Sequence, residues 1–265
     1  MSSGFSLSAG MRIGEGAGPK PEEAGPAALR EREARLHRAP TLTLVRHGDP
    51  DWAPGGGPAV NDPGLTPFGR RQAACLGQAL SLTPVDALYV SPYLRSRETA
   101  EPIARATGCE PRVIEGLAEV GVAVEGLSQE EVDRYFQEGS RRPLRDHWEG
   151  WPGAESFHDF HGRVTQALEG LLARHGIVPT PEHDFTVWSA PEPALSIVIV
   201  AHGGTNAVLL THLLDVRPVP WEWLRFESQL AAYSVAEARP IGARGSVWSL
   251  QNFNEVDHLR AAGLR

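Results

Sequence analysis

The sequence has few cysteines, no excess of positive charge and no long apolar run. Two cysteines, Cys75 and Cys109, occur in 265 residues. They are too few for a disulfide framework in a chain of this length, and their spacing is not that of metal ligands. Reduced thiols in a cytoplasmic protein are therefore expected. No apolar stretch approaches the roughly 18 residues that cross a membrane, and the N-terminal residues lack the apolar core of a signal peptide.

The charge balance limits the partners that can be expected. The formal net charge is −8 at pH 7, so neither nucleic acid nor an anionic membrane is a predicted partner. Any binding of anions must then depend on a few arginines placed close together. A content of 41% hydrophobic and 22% charged residues is typical of a globular domain.

The chain is predicted to divide into a leader and one domain. Residues 1–38 are rich in Gly, Ala, Pro, Glu and Arg and have few large apolar side chains to bury, which predicts a flexible leader. Residues 39–265 form the predicted domain. Within it, residues 116–152 are interrupted by glycines and a proline, and we interpret them as a lid-like insertion over the sheet. The capping-box pattern Ser128-Gln129-Glu130-Glu131 predicts a helix there, from Ser128 to about Gln137.

Strand-like and helix-like segments alternate along the domain. Residues 195–200 are apolar on both faces, which is typical of a central parallel strand. The alternation predicts an α/β fold, a three-layer α/β/α sandwich with a mostly parallel central sheet. Further strands are predicted at 42–45, 86–90, 112–114, 185–188, 231–238 and 247–252, and helices at 67–80, from about 92, at 156–174 and at 205–214.

Two of the predicted strands deliver a histidine to the same edge of the sheet. The first strand ends in Arg46-His47-Gly48 and the central strand ends in Ala201-His202-Gly203-Gly204. Ligands of parallel sheets bind at the carboxyl ends of the strands. Arg95, near the start of a helix that follows a strand, is expected to join them, whereas Arg97 is interpreted as a surface charge on another face. Two guanidiniums and two imidazoles at one point predict a site for a compact dianion, and phosphate fits best.

The motifs resemble those of the histidine phosphatase superfamily, the phosphoglycerate mutase-like clan. The resemblance extends from residue 41 to about 255, and its segments occur in the family's order. The matching segments are Leu44-Val45-Arg46-His47-Gly48, residues 65–73, residues 91–100, Leu117-Ala118-Glu119, residues 152–157 and residues 200–204.

The resemblance implies a role for each residue of the site. His47 is the implied nucleophile, which forms a phosphohistidine, and the two arginines are expected to lower its pKa by repulsion. The resemblance assigns the phosphoryl group to Arg46, Arg95 and His202, with Gly203 adding a backbone N–H at a helix start. It implies that Glu119 protonates the leaving alcohol. No metal ion or other cofactor is implied.

The loop around the implied acid departs from the family's pattern. The residues that follow Glu119 lack the aromatic side chains common in the family, and the loop is one residue short. Glu115 and Glu125 therefore stay open as alternatives for the acid. The four tryptophans nearby, Trp148, Trp151, Trp221 and Trp223, are interpreted mainly as core and lid packing rather than as substrate contacts.

Other departures bear on the reaction. Ala53 stands where mutases of the family have Asn, and their Thr-Gly-Trp substrate loop is missing. We therefore expect a phosphomonoesterase of the histidine acid phosphatase type that acts on a small phosphorylated metabolite. A phosphoglycerate mutase-type phosphotransferase and a catalytically idle member that binds phosphate esters are the alternatives. A homodimer is left open.

Overall fold

The structure is a computed structural model that describes residues 39–190 and 194–265. The predicted flexible leader, residues 1–38, lies outside the described residues. Both cysteines are free thiols. Among the helices of the described residues, none has the length and apolar character needed to cross a membrane. The cytoplasmic location stays a prediction.

The centre of the fold is a sheet of eight strands. In chain order these are β1 (Thr41–Arg46), β2 (Ala87–Val90), β3 (Pro111–Val113), β4 (Pro179–Glu182), β5 (Phe185–Trp188), β6 (Ser196–Ala201), β7 (Tyr233–Pro240) and β8 (Ser246–Glu255). Their order in the sheet is β3-β2-β6-β1-β7-β8-β5-β4. The first four of this order are parallel, and the remaining neighbours pair antiparallel. Both histidine-bearing strands, β1 and β6, lie in the parallel half.

Helices cover both faces of the sheet. They are α1 (Pro67–Leu80), α2 (Leu94–Thr107), α3 (Gln129–Ser140), α4 (Phe157–Ala173), α5 (Gly203–Leu213), α6 (Glu222–Arg225) and α7 (Asp257–Ala261). Side chains of β6 alternate between the faces. Ile197 and Ile199 join the core formed with α4 and α5, whereas Val198 and Val200 join the core formed with α1 and α2. The predicted α/β/α sandwich with a central, doubly buried strand is confirmed.

Helix boundaries follow local capping chemistry. Thr66 Oγ1 accepts the Gly69 N–H at 2.9 Å, and Pro67 occupies the first turn, so α1 has the predicted bounds. Helix α5 begins at Gly203, two residues before its predicted start, with His202 as its N-cap. The two glycines had favoured a loop because glycine has a poor helix propensity. The earlier start brings the helix N-terminus directly to His202.

Strand β4 is absent from the sequence prediction. Its residues, Pro179-Thr180-Pro181-Glu182, include two prolines, and proline cannot donate to a sheet ladder. The strand lies at the outer edge of the sheet and pairs with β5 alone, where a missing donor costs little.

The segment 116–152 contains helix α3 and parts of two 3-10 turns, Glu115–Leu117 and Leu144–Glu149. The capping box at Ser128 is present, because Ser128 Oγ accepts from the Glu131 N–H and Glu131 accepts from the Ser128 N–H. Helix α3 extends to Ser140, beyond the predicted Gln137. The role of the segment as a lid stays a prediction.

Candidate active site

The two histidines meet at the carboxyl ends of β1 and β6. These strands are adjacent and parallel, with Arg46 in register with Ala201. The residues that follow are therefore brought side by side, and the ring centroids of His47 and His202 lie 5.1 Å apart. Both side chains are buried.

The contacts of His47 fix its tautomer. Its Nδ1 lies 2.7 Å from the carbonyl oxygen of Gly48, and since a carbonyl can only accept, Nδ1 carries the proton. Nε2 is left with a free lone pair. Burial lowers the pKa of His47 well below its usual value near 6.5, and repulsion from Arg95 and Arg46 adds to this effect. The ring is therefore neutral at neutral pH, as a nucleophile must be.

His202 is held by the start of the segment that leads into α2. Ser91 Oγ lies 2.6 Å from His202 Nε2, and it also accepts the Tyr93 N–H at 3.4 Å. The other ring nitrogen of His202, Nδ1, has no hydrogen-bond partner among the described residues. Burial, followed by repulsion from His47, lowers the pKa of His202 well below its usual value. A buried ring nitrogen without a partner is available to donate to a bound anion when it carries the proton.

The two arginines are held with part of each guanidinium unused. Arg95 is buried between the rings of Tyr93 and Trp52, at 4.6 and 4.8 Å from the centroids, and its Nη1 donates to the Asn61 carbonyl at 3.2 Å. Arg46 donates from Nη1 to the Ser228 carbonyl. In each case Nε lacks a partner within the described part of the chain. Arg97, which the sequence assigned to the surface, is exposed.

Glu119 is the carboxylate of the loop that lines one cavity with the two arginines. It lines a cavity of about 550 Å³ together with Arg46, Arg95 and Gly203. Its oxygens accept N–H groups of Gly204 at 2.9 Å and of Thr205 at 3.1 Å, so the carboxylate lies on the N-terminus of α5.

The alternative carboxylates lie outside this lining. Glu115 is exposed on the 3-10 turn, and Glu125 is exposed and accepts the Asn61 N–H at 2.6 Å. The structure therefore brings Glu119, rather than either alternative, to the arginines. Gly203 lies beside Arg46, since a Cβ built on this glycine would be 3.4 Å from Arg46 Cζ.

The position of Glu119 depends on an ion pair that the sequence did not reveal. Arg163 on α4 pairs with Glu155 at 2.6 and 2.8 Å. The same guanidinium donates to the carbonyls of Gly116, Ala118 and Glu119 at 2.8 to 3.1 Å. Glu155 lies in one of the recognised segments, but nothing in the spacing of Arg163 sets it apart from other polar helix residues.

The sequence also missed several residues of the cavity wall. Ser91, which contacts His202, lies in the recognised segment 91–100 but was given no role in the site. Trp52 and Tyr93, which enclose Arg95, come from separate loops, and Glu227 follows α6. Of the four tryptophans, Trp151 and Trp223 line the cavity. Trp148 instead stacks on His158 and Trp221 donates to His147, which is the expected packing.

The site combines a neutral imidazole with a free Nε2, two arginines with unused N–H groups and a nearby carboxylate. This combination is typical of proteins that transfer phosphoryl groups through histidine. The family model of the histidine phosphatase superfamily (branch 1) matches residues 42–251. The chain belongs to this superfamily.

Comparison with individual proteins gives relatives with different named activities. Phosphoserine phosphatase 1 of Hydrogenobacter thermophilus is 34% identical over 137 residues, which are 51% of this chain and 65% of that protein. A probable phosphoglycerate mutase of Erwinia tasmaniensis is 29% identical over 83% of this chain and 95% of its own length. The solved structure of a mycobacterial glucosyl-3-phosphoglycerate phosphatase with VO3 is 26% identical, with a TM-score of 0.64, and the match covers 82% of this chain and 100% of that one.

Proposed function

We propose that this protein is a metal-independent phosphomonoesterase of the histidine acid phosphatase type, which hydrolyses a small phosphorylated metabolite through a phosphohistidine at His47. The observation that supports it best is the state of His47, with a neutral ring whose Nε2 is unprotonated beside two arginines. A histidine in this state supplies the nucleophile itself, so no metal-bound water is required.

The reaction proceeds in two displacements. In the first, Nε2 of His47 attacks phosphorus, the bond from phosphorus to the alcohol oxygen breaks, and the carboxyl of Glu119 gives its proton to that oxygen. In the second, Glu119 takes a proton from water, the water oxygen attacks phosphorus, and the bond to Nε2 breaks. Inorganic phosphate leaves and His47 is neutral again.

The remaining residues stabilise the transferring group. The unused N–H groups of Arg46, Arg95 and His202 are the donors for the phosphoryl oxygens, in a buried site where such contacts are strong. Gly203 adds a backbone N–H at the start of α5.

A mutase-type phosphotransferase is the second candidate, because one relative is named a probable phosphoglycerate mutase. It would return the phosphoryl group from His47 to a second hydroxyl instead of to water. Incubation with 3-phosphoglycerate and analysis of the products separates the two reactions. Formation of the 2-phospho isomer supports the mutase, whereas release of inorganic phosphate supports the phosphatase.

The test of the proposal compares the wild-type protein with His47→Ala on p-nitrophenyl phosphate in the presence of EDTA. We expect a loss of at least about 1,000-fold in kcat, because the covalent route is removed. Quenched wild-type protein should carry an acid-labile, base-stable phosphoryl group on His47, detected by mass spectrometry. Equal activity of the two proteins, with circular dichroism showing both folded, would overturn the proposal.

A further inference from the structure

Part of the cavity lining is apolar. Besides the arginines and Glu119, which form its phosphoryl end, the lining includes Phe136, Trp151, Trp223 and Leu224. The same four side chains line an adjoining cavity of about 500 Å³ between α3, α6 and the Leu144–Glu149 turn. The two cavities therefore share this aromatic wall, which we define as Phe136, Trp151, Trp223 and Leu224.

The adjoining cavity offers few polar contacts to a ligand. His147 uses both ring nitrogens, because Nδ1 accepts from Trp221 at 2.6 Å and Nε2 donates to the Arg142 carbonyl at 2.9 Å. Ser140 donates its hydroxyl to the Gln137 carbonyl at 2.8 Å. The groups that remain on its walls are mainly aromatic rings and two leucine side chains, which favour an apolar ligand.

The charges of the cavity restrict the substrate further. Of the described residues that line the two cavities, the arginines are Arg46 and Arg95, and both are placed at the phosphoryl end. The other charged side chains on the walls are carboxylates, Glu119 and Glu227. A second anionic group on the substrate would find no free cation here and would be repelled by Glu227.

The aromatic wall is pre-organised. Trp151 and Trp223 stack with centroids 5.6 Å apart, and Phe136 packs edge-on to Trp151 at 5.4 Å. Gly139 permits the close approach of α3, since a Cβ there would lie 2.2 Å from Trp151 Cδ1. Leu224, in contrast, is 70% exposed, so it presents apolar surface that a ligand can cover.

We infer that the substrate is a phosphomonoester whose alcohol carries an apolar ring or alkyl chain and no second anionic group, and that this apolar part lies against the aromatic wall. The inference rests on the proposed function and names its substrate class. It separates this chain from relatives whose names refer to phosphoglycerates or phosphoserine, because those substrates carry a carboxylate.

The first test uses ethyl, butyl and hexyl phosphate, whose leaving alcohols have nearly the same reactivity. We expect kcat/KM to rise by roughly 2- to 4-fold for each methylene that is buried. We also expect glycerol 3-phosphate to be hydrolysed about 10-fold faster than 3-phosphoglycerate, which differs by its carboxylate. A flat series, or a preference for 3-phosphoglycerate, overturns the inference.

The second test changes the wall. Leu224→Lys should lower the ratio of kcat/KM for hexyl phosphate to kcat/KM for ethyl phosphate by roughly 5- to 10-fold. It should also raise kcat/KM for 3-phosphoglycerate relative to that for glycerol 3-phosphate. The matched control is Leu82→Lys, at a leucine that is 85% exposed and outside both cavities, and it should keep the wild-type ratios. Equal ratios in the two variants contradict the inference.

The two proposals fail in different ways. If every alkyl phosphate is hydrolysed at the same rate, the inferred substrate class is wrong and the proposed phosphatase activity still holds. If no ester is turned over, the proposed function fails, and calorimetric titration with the alkyl phosphates then decides the substrate class. Affinity that rises with chain length supports the apolar ligand, whereas affinity independent of chain length overturns it.

Discussion

Burial decides the chemistry of the single residues in this site. His47 and His202 are enclosed at the ends of two interior strands, and both have pKa values well below the usual value for histidine, with burial as the main cause. The same desolvation acts on Arg46 and Arg95 and lowers their pKa, yet guanidinium stays charged because its ordinary pKa is so high. The site therefore holds neutral imidazoles and charged guanidinium groups side by side.

Neutral buried histidines make stability depend on pH. Below about pH 6.5 the unfolded chain protonates His47, whereas the native state does so only at lower pH, so the unfolded state binds the additional proton. The stabilisation is complete above pH 6.5. As the pH falls below 6.5, each such histidine lowers the free energy of unfolding by up to about 1.4 kcal/mol per pH unit. We expect His47→Asn to reduce this slope in urea unfolding measured between pH 7.5 and 5.

The control for this experiment is His183→Asn, at an exposed turn between β4 and β5 with a φ of 55° that asparagine tolerates. It should keep the wild-type dependence on pH. A His47→Asn slope equal to that of the wild type would show that His47 is protonated in the native state, contrary to its burial.

At the scale of elements, helix α4 holds the acid loop against helix α5. Arg163 donates to three carbonyls of that loop and pairs with Glu155, while the Glu119 carboxylate accepts N–H groups from the first turn of α5. Arginine suits this task because its planar fork donates in several directions at once. The loop has little regular structure of its own, so its geometry comes from the two helices.

We expect Arg163→Gln to lower kcat for ethyl phosphate by about 10- to 100-fold, because Glu119 loses its alignment with the leaving oxygen. With p-nitrophenyl phosphate the loss should be much smaller, since p-nitrophenolate leaves without a proton. Steady-state kinetics of the folded variant on both substrates provides the measurement.

An exposed arginine supplies the comparison for this variant. Arg134→Gln removes a solvent-exposed ion pair with Glu130 on α3 and should alter neither substrate. A loss in Arg163→Gln that is equal for the two substrates would mean that Arg163 supports the fold alone and does not position the acid.

At the scale of the whole molecule, the site is assembled where the two halves of the core meet. Strands β1 and β6 belong to both core clusters, one on each face of the sheet, and the proposed phosphoryl end lies at their carboxyl ends. The antiparallel half of the sheet begins on the other side of β1, where β7 is its neighbour. A ligand that bridges β1, α2 and α5 therefore binds the native state and not the unfolded chain.

Inorganic phosphate should accordingly stabilise the whole protein. At 100 times its Kd we expect the free energy of unfolding to rise by about 2.7 kcal/mol, measured as a shift of the thermal midpoint. Arg95→Ala should abolish most of this shift because Arg95 is the buried cation of the site. Arg97→Ala, on the same helix and exposed, should retain it. Equal shifts in the two variants would exclude Arg95 from the anion site.

The sequence predicted the parts of the fold that local chemistry specifies. The apolar pattern of β6 and the capping box at Ser128 each act within a few residues, and each is present in the structure. Strand β4 was missed because its prolines oppose a strand locally, and its position at the sheet edge offsets that preference. The start of α5 was misplaced for a similar reason, since propensity alone does not place glycines in a helix.

The sequence by itself determined which residue types meet at the candidate site, because Arg46-His47-Gly48 and His202-Gly203 stand at the ends of strands that the apolar pattern predicts. The tertiary structure alone decided which carboxylate faces them, since Glu115, Glu119 and Glu125 share one irregular loop and differ only in what packs around them. It alone also joined Trp151 and Trp223 into one wall, because residues 72 positions apart are brought together by packing and not by any periodicity of the chain.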